Sequence, residues 1–197
     1  MTNKLSLERK TFVAREDLLN RLTSVAEERG CSLYKLVNEI FELAVTSDNL
    51  GSNLKMAVES TRKMDAAKAA GLVLGLESLW YEMADIAYDK QRTLALKSWF
   101  DAGVWLATRY VTGETQAPLA VFKQDLLSFT WNAAEFTFEE NEGRVLVRVS
   151  SPRFTEAYTN LFSSFLEGAL NAFGYKVTTK LVSRGMIRLE GSKELTR

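Results

Sequence analysis

Positive charge is concentrated in the first fifteen residues of the chain. Four basic side chains there stand against a single acidic one and give the segment a net charge of +3: Lys4, Arg9, Lys10 and Arg15 against Glu8. Residues 16–45 hold three basic and six acidic side chains, a net charge of −3, and the whole chain is neutral. A basic arm of this kind favours binding to a phosphate backbone. Alternatively, its charges are ordinary solvated side chains on a small dimerisation module.

Catalytic chemistry has little support in the residue types present. The chain has no histidine and a single cysteine, Cys31. These counts exclude a histidine base, histidine-ligated metals and a thiolate metal site built from one chain. The sequence also contains neither a Gly-rich phosphate loop nor a G-x-S-x-G motif. We therefore expect a protein that is not an enzyme and has no metal or cofactor.

The elements that carry the basic arm are predicted from the spacing of apolar residues. Thr11–Val13 is β-branched and aromatic, which favours an extended strand. Residues 15–29 place leucine, valine and alanine at the spacing of one helix face, and Gly30 is placed to end that helix. Ser32 is placed to cap a second amphipathic helix over residues 33–45. The lone strand has an unpaired edge, which a second copy of the chain would satisfy.

This order of strand, helix, Gly-Ser break and helix resembles the ribbon-helix-helix (CopG/Arc/MetJ-type) DNA-binding domain. The resemblance implies an intertwined homodimer whose paired arms place one face of a two-stranded ribbon in the major groove of double-stranded DNA. In the implied register Arg9, Thr11 and Val13 lie on that face, and Phe12 points inward. Lys10 falls where the family usually has an apolar residue, and a slip of one residue would bring it to the DNA face.

The start of the second helix is a further candidate contact with DNA. Ser32 can cap this helix, and the first backbone N–H groups, at Leu33 and Tyr34, are placed to meet a phosphate.

The rest of the chain divides by pattern into a helical part and a part with strands. Residues 46–53 are rich in turn formers, and residues 46–68 are predicted to form a linker and a connecting helix. Further helical patterns cover residues 69–91, 94–110 and 118–132. Two hairpins flanking a helix then follow, with strands predicted at residues 134–139, 144–150, 174–182 and 186–190 and the helix at residues 154–173.

The predicted fold class is therefore α+β. It comprises a ribbon-helix-helix domain over residues 1–45, a helical connection over residues 46–68, and a domain over residues 69–191. In that last domain the β-β-α-β-β order favours an antiparallel sheet covered by helices.

Three stretches of this last domain are similar to the 4-vinyl-reductase-type small-molecule-binding domain, a relative of the haem-nitric-oxide and TRAPP-subunit folds. They are residues 145–152 (VLVRVSSP), 165–174 (FLEGALNAFG) and 177–189 (VTTKLVSRGMIRL). The resemblance implies a ligand-binding role. The cysteines that often occur in the family's closing hairpin are missing here, as is a haem-ligating histidine, so a metal or haem effector is excluded.

Aromatic residues mark a candidate ligand pocket in the helical part of this domain. All four tryptophans lie there, and Trp99, Trp105 and Trp131 are the predicted lining of a pocket for a small apolar or flat ligand. The alternative is ordinary core packing, since aromatic side chains bury large areas.

Taken together, these patterns predict a sequence-specific DNA-binding transcription regulator that forms a homodimer or a higher homo-oligomer. The alternative is a protein–protein assembly module in which the N-terminal part serves only for dimerisation. A cytoplasmic location is expected, because one cysteine cannot form an intramolecular disulfide and no apolar run is long enough to span a membrane. We expect no membrane partner.

Overall fold

The computed structural model describes residues 10–51, 53–113 and 116–193. Over these ranges the chain is an α+β protein with six helices and one four-stranded antiparallel sheet. It divides into two compact units, with the boundary between residues 62 and 63. The elements in chain order are α1 (Glu16–Glu28), α2 (Leu33–Asn49), α3 (Leu54–Ala69), α4 (Glu77–Val111), α5 (Pro118–Phe129), β1 (Glu135–Asn141), β2 (Arg144–Ser150), α6 (Glu156–Ala172), β3 (Tyr175–Ser183) and β4 (Met186–Lys193).

The junction between α1 and α2 forms where the sequence predicts it. Gly30 has a φ of +62°, and its N–H donates to the carbonyl of Glu27 at 3.0 Å. The N–H of Cys31 donates to the carbonyl of Ala26 at 3.0 Å, which completes a Schellman motif. Ser32 then caps α2 by accepting a hydrogen bond from the Lys35 N–H at 3.2 Å.

Two predictions for the first unit differ from the structure. The strand expected at Thr11–Val13 is not formed, since residues 10–15 are neither helical nor paired with another strand. A strand is held by hydrogen bonds to a neighbouring strand, and the described part of one chain offers this segment none. The predicted linker over residues 46–53 is also too long, because α2 continues to Asn49 and turns only at Gly51, where φ is +70°.

The sheet of the second unit has the order β1-β2-β4-β3, and all its neighbours are antiparallel. The first hairpin turns at Glu142 and Gly143, where φ is 47° and 75°, as a two-residue turn with two positive φ angles requires. Alternate side chains of β2 and β4 are buried on one face: Val145, Val147 and Val149 with Ile187 and Leu189. These alternating patterns confirm the predicted β-β-α-β-β order.

Helix α6 packs against this buried face and also against α4, so it is buried along much of its length. Its fully buried side chains include Leu161, Leu166 and Leu170. Helix α5 packs against α4 and β1. The core of the second unit therefore lies in the layer between the sheet and α4.

The predicted helix over residues 69–91 begins later than its apolar pattern indicates. Gly71 has a φ of +79°, and the N–H of Leu72 donates to the carbonyl of Ala67 at 3.0 Å, which ends α3. Residues 72–76 are an apolar loop, and α4 starts at Glu77. The helical patterns predicted over residues 69–91 and 94–110 belong to one helix, α4, which is kinked at Gln91, where the angles are non-helical (φ −144°, ψ 52°).

Candidate nucleic-acid interface and ligand cavity

The basic arm of the first unit is exposed. Lys10, Thr11 and Val13 are all solvent-exposed, and Arg9 lies outside the described residues. The ring of Phe12 packs edge-on against the ring of Phe41 in α2, with centroids 5.4 Å apart. The arm therefore packs Phe12 against α2, although residues 10–15 form no strand.

The two described cations of the arm differ in their partners. Arg15 donates to both carboxylate oxygens of Asp17, at 3.0 and 2.6 Å, next to the start of α1. Lys10 forms no ion pair with any described residue. Its charge therefore remains available for an external anion.

The second candidate contact is the start of α2. Ser32 is exposed and holds the Lys35 N–H, so the first turn of α2 begins in solvent. Leu33 is half-buried and Tyr34 is exposed. The positive end of the helix dipole and its leading N–H groups make such a turn suited to a phosphate oxygen.

Most apolar side chains in the described part of the first unit are not covered by other described residues. In residues 10–51 and 53–62, Ala26 and Leu36 are the buried apolar residues. Much larger side chains on the arm and on α1 and α2 are exposed, namely Phe12, Val13, Leu18, Tyr34, Phe41, Leu43, Val45 and Leu50. Two helices and an unpaired arm thus leave an apolar surface that a folded soluble domain ordinarily buries.

The second unit contains an aromatic cavity of about 200 Å³ between α4, α5 and α6. Its wall is apolar apart from a few hydroxyl and amide groups. The lining residues are Leu72, Trp99, Leu106, Tyr110, Phe122, Leu126, Phe129, Thr130, Asn132, Tyr158, Phe162 and Phe165.

A cleft of about 640 Å³ shares five of these lining residues with the cavity, which makes the two spaces neighbours: Leu72, Trp99, Phe129, Asn132 and Tyr158. Its volume falls in the range of roughly 300–1,000 Å³ that is typical of small-molecule sites. A concavity of about 760 Å³ on the solvent face of the sheet is larger, but Glu135, Arg148 and Arg188 line it. The aromatic cavity and its cleft are therefore the better candidate for an apolar ligand.

The three predicted pocket tryptophans are placed differently. Trp99 lines both the cavity and the cleft, and Trp131 lines the cleft. Trp105 lines neither of them; it is 57% exposed, and the Arg109 guanidinium lies over its ring at 5.2 Å. Trp105 therefore does not line these concavities together with Trp99 and Trp131. Trp80 lines the cleft in its place.

A hydrogen-bond network brings polar groups to the wall that the cavity and the cleft share. The Asn132 side-chain amide donates to the hydroxyls of Tyr81 and Tyr158, at 3.2 and 3.3 Å. The Tyr81 hydroxyl donates in turn to Glu77, whose other oxygen accepts from Arg153 at 2.8 Å. Because the Tyr81 proton is given to a carboxylate, its oxygen can only accept, and this fixes the amide N–H₂ of Asn132 towards the tyrosines.

The network leaves two hydrogen-bonding positions unused. Both amide protons of Asn132 are engaged, and among the described residues none donates to its Oδ1. The Tyr158 hydroxyl accepts from Asn132, and its own proton has no acceptor in the described part of the chain. Burial raises the pKa of Tyr158 above its ordinary value, with the Asn132 hydrogen bond opposing the shift, so this proton is retained at neutral pH. The shared wall therefore offers one acceptor and one donor.

Tyr110 adds a further polar group to the cavity. Its hydroxyl donates to Asp125 at 3.1 Å. Burial first, and then the neighbouring Asp125 charge, raises the pKa of Tyr110 to about 12. Because the Tyr110 proton is already donated to Asp125, this hydroxyl links α4 to α5. Asn132 and Tyr158 remain as the polar groups that could contact a ligand.

Comparison with known proteins supplies no family: the chain matches no protein-family model and no curated protein sequence. Among the described residues no three of Asp, Glu and Cys lie close enough together to hold a metal ion. In the same ranges, no helix combines the length and the apolar character needed to cross a membrane.

Sequence reasoning missed the polar groups of the cavity. Asn132 follows the end of α5, and Tyr158 lies on α6, in stretches whose patterns indicate only a helix and its end. No local signal connects either residue with Tyr81, which lies 51 positions before Asn132. Their chemistry becomes visible only when α4, α5 and α6 are packed together.

Proposed function

We propose that this protein is a homodimeric, sequence-specific DNA-binding transcription regulator. The proposal rests on one observation: in a single chain, the first unit leaves its arm unpaired and its large apolar side chains exposed. It has a capped two-helix motif, an arm without a strand partner, and large apolar side chains left in solvent. A second copy would pair the arm and cover these side chains, which is the arrangement that the ribbon-helix-helix family uses.

In the proposed dimer the paired arms form the surface that contacts bases. Arg9, Thr11 and Val13 lie on the face opposite Phe12, which is held against Phe41. Lys10 supplies a charge that has no ion-pair partner among the described residues. The capped start of α2 adds a phosphate contact that fixes the register without reading sequence.

Selection of binding sites from random double-stranded DNA tests this proposal. The full chain should enrich a short sequence, and Arg9→Ala and Thr11→Ala should each lower affinity for that sequence by about 1–3 kcal/mol if a base contact is removed. Arg148→Ala, on the exposed sheet face of the second unit, is the control and should leave binding unchanged. No enrichment, or binding untouched by Arg9→Ala, Thr11→Ala and Lys10→Ala together, would support the alternative of an assembly module.

The second unit is proposed to hold a small, largely apolar effector in its aromatic cavity and cleft. The unused Asn132 Oδ1 and Tyr158 proton suit a ligand with one donor and one acceptor on an otherwise apolar body. If such a ligand binds differently to the free and the DNA-bound protein, linkage requires it to change operator affinity. Quenching of tryptophan fluorescence by candidate ligands tests this part separately from DNA binding. Operator titration with and without a ligand that quenches then tests the linkage.

A further inference from the structure

The first half of α4 carries a second apolar face, opposite the one that packs in the core. The buried face is formed by Tyr81, Ala84 and Tyr88. The opposite face carries Leu76, Leu79, Met83 and Ile86, of which Leu76 is the N-cap residue of α4. All four side chains are exposed, from 50% for Leu79 to 73% for Leu76. We call these four residues the α4 stripe. A helix that is apolar on both sides is ordinarily buried on both sides.

Two acidic side chains of this half-helix, Glu77 and Asp85, are held away from the α4 stripe. Glu77 pairs with Arg153 at 2.8 Å. Asp85 accepts a hydrogen bond from the Thr155 hydroxyl at 2.7 Å. Both contacts are on the side of α4 that faces the rest of the second unit, so these acidic groups do not solvate the stripe.

The size of the exposed surface matches that of a protein interface. Trp80 lies beside the stripe, and Val73 and Leu74 line the same cleft as Trp80. With the α4 stripe they expose on the order of 700–800 Å² of apolar surface, above the roughly 300–600 Å² of the largest patch on a typical monomer and near the roughly 800 Å² that one partner contributes to a stable interface.

The spacing of the stripe favours a second helix of the same kind as its partner. Leu76, Leu79, Met83 and Ile86 are separated by three, four and three residues, which is the spacing of a coiled-coil seam. A two-fold axis brings the same patch of two copies together, and such a seam is complementary to itself. We propose that the α4 stripe is an interface between two copies of this chain, in addition to any contact through the first unit.

Cross-linking at single cysteines tests the interface in the full chain. Cys31 is the native cysteine, so a Cys31→Ser background allows one new cysteine at a time. Met83→Cys should give a covalent dimer on mild oxidation or with a short bismaleimide. Met186→Cys is the matched control, because Met186 is also an exposed methionine (62% against 53%) but lies on the sheet. Equal cross-linking of both positions, or none at Met83, would overturn the proposal.

Association measured by light scattering over a dilution series gives an independent result. In an Ile40→Asp background, which disables the apolar surface of α2, adding Met83→Glu should raise the dissociation constant at least tenfold, whereas adding Met186→Glu should not. Equal constants for the two double variants would overturn the proposal. Circular dichroism checks that each variant is folded. If the Met83→Glu variant does not fold, the cross-linking of Met83→Cys and Met186→Cys tests the interface. Neither assay contains DNA, so a failure of the proposed DNA binding leaves the result intact.

Discussion

Gly103 of α4 and Gly168 of α6 lie at the closest approach of these two helices. A Cβ atom on Gly103 would sit 2.0 Å from the carbonyl oxygen of Phe165, and one on Gly168 would sit 2.1 Å from the carbonyl oxygen of Phe100. Because neither residue has a side chain, the backbone of the opposite helix can lie directly against each glycine. This contact sets how α4 packs on α6, and the aromatic cavity is bounded by both helices.

Gly168→Ala should destabilise the second unit by about 1–3 kcal/mol or more, because the added methyl meets backbone that cannot move aside like a flexible side chain. Denaturant unfolding followed by tryptophan fluorescence measures the change. Gly174→Ala is the control: its φ of +79° is strained for alanine, but no atom lies within 4 Å, so the cost there should be nearer 1 kcal/mol. Equal costs at the two positions would show that the helices separate readily.

Folding of the first unit should depend on chain concentration, since its apolar side chains need a second copy. The melting temperature of that unit, followed by circular dichroism, should rise as the protein is concentrated. Ile40→Asp should remove this transition and leave that of the second unit, because the charge would face the proposed dimer contact. Thr46→Asp adds the same charge at an exposed position of α2 and should preserve the transition. A transition independent of concentration would contradict a dimer formed through this unit.

Ser32→Ala should affect both stability and DNA binding. Loss of the hydrogen bond to the Lys35 N–H removes the cap of α2, at a cost of about 1 kcal/mol. If the start of α2 contacts phosphate, affinity for the selected site and for random DNA should fall together. Ser24→Ala is the matched control, since the Ser24 hydroxyl donates to the carbonyl of Asn20 within α1 and caps no helix. A loss confined to the selected site would instead assign base recognition to this turn.

Asn132→Leu should destabilise the second unit by about 1–3 kcal/mol, because the Tyr158 hydroxyl loses its hydrogen-bond partner and the Tyr81 hydroxyl loses one of its two. Binding of an effector should weaken as well, since Tyr158 loses the group that orients it. Thermal unfolding and tryptophan fluorescence measure the two effects. Asn171→Leu, on the exposed side of α6, should change neither. An unchanged effector affinity in Asn132→Leu would remove Asn132 from the proposed site.

The elements that the sequence predicted correctly are those determined by interactions between residues close together in the chain. Alternation along β1 and β2, the Glu142-Gly143 turn and the Gly30-Ser32 junction are local, so the residues that determine them are neighbours in sequence. The predicted strand at Thr11–Val13 is absent for the opposite reason, because its hydrogen bonds must come from another strand.

The amino-acid sequence alone determined the α+β class, the two hairpins around α6, and the exclusion of histidine chemistry. It also specified the apolar faces of the helices, because period and capping act within a few residues. Packing alone decided which aromatic residues share a cavity, with Trp99 inside and Trp105 in solvent. Packing also joined Asn132 to Tyr81 and Tyr158, and placed Gly103 against α6. These relationships join residues far apart in the chain, and the close packing that creates them leaves no signature in the local pattern.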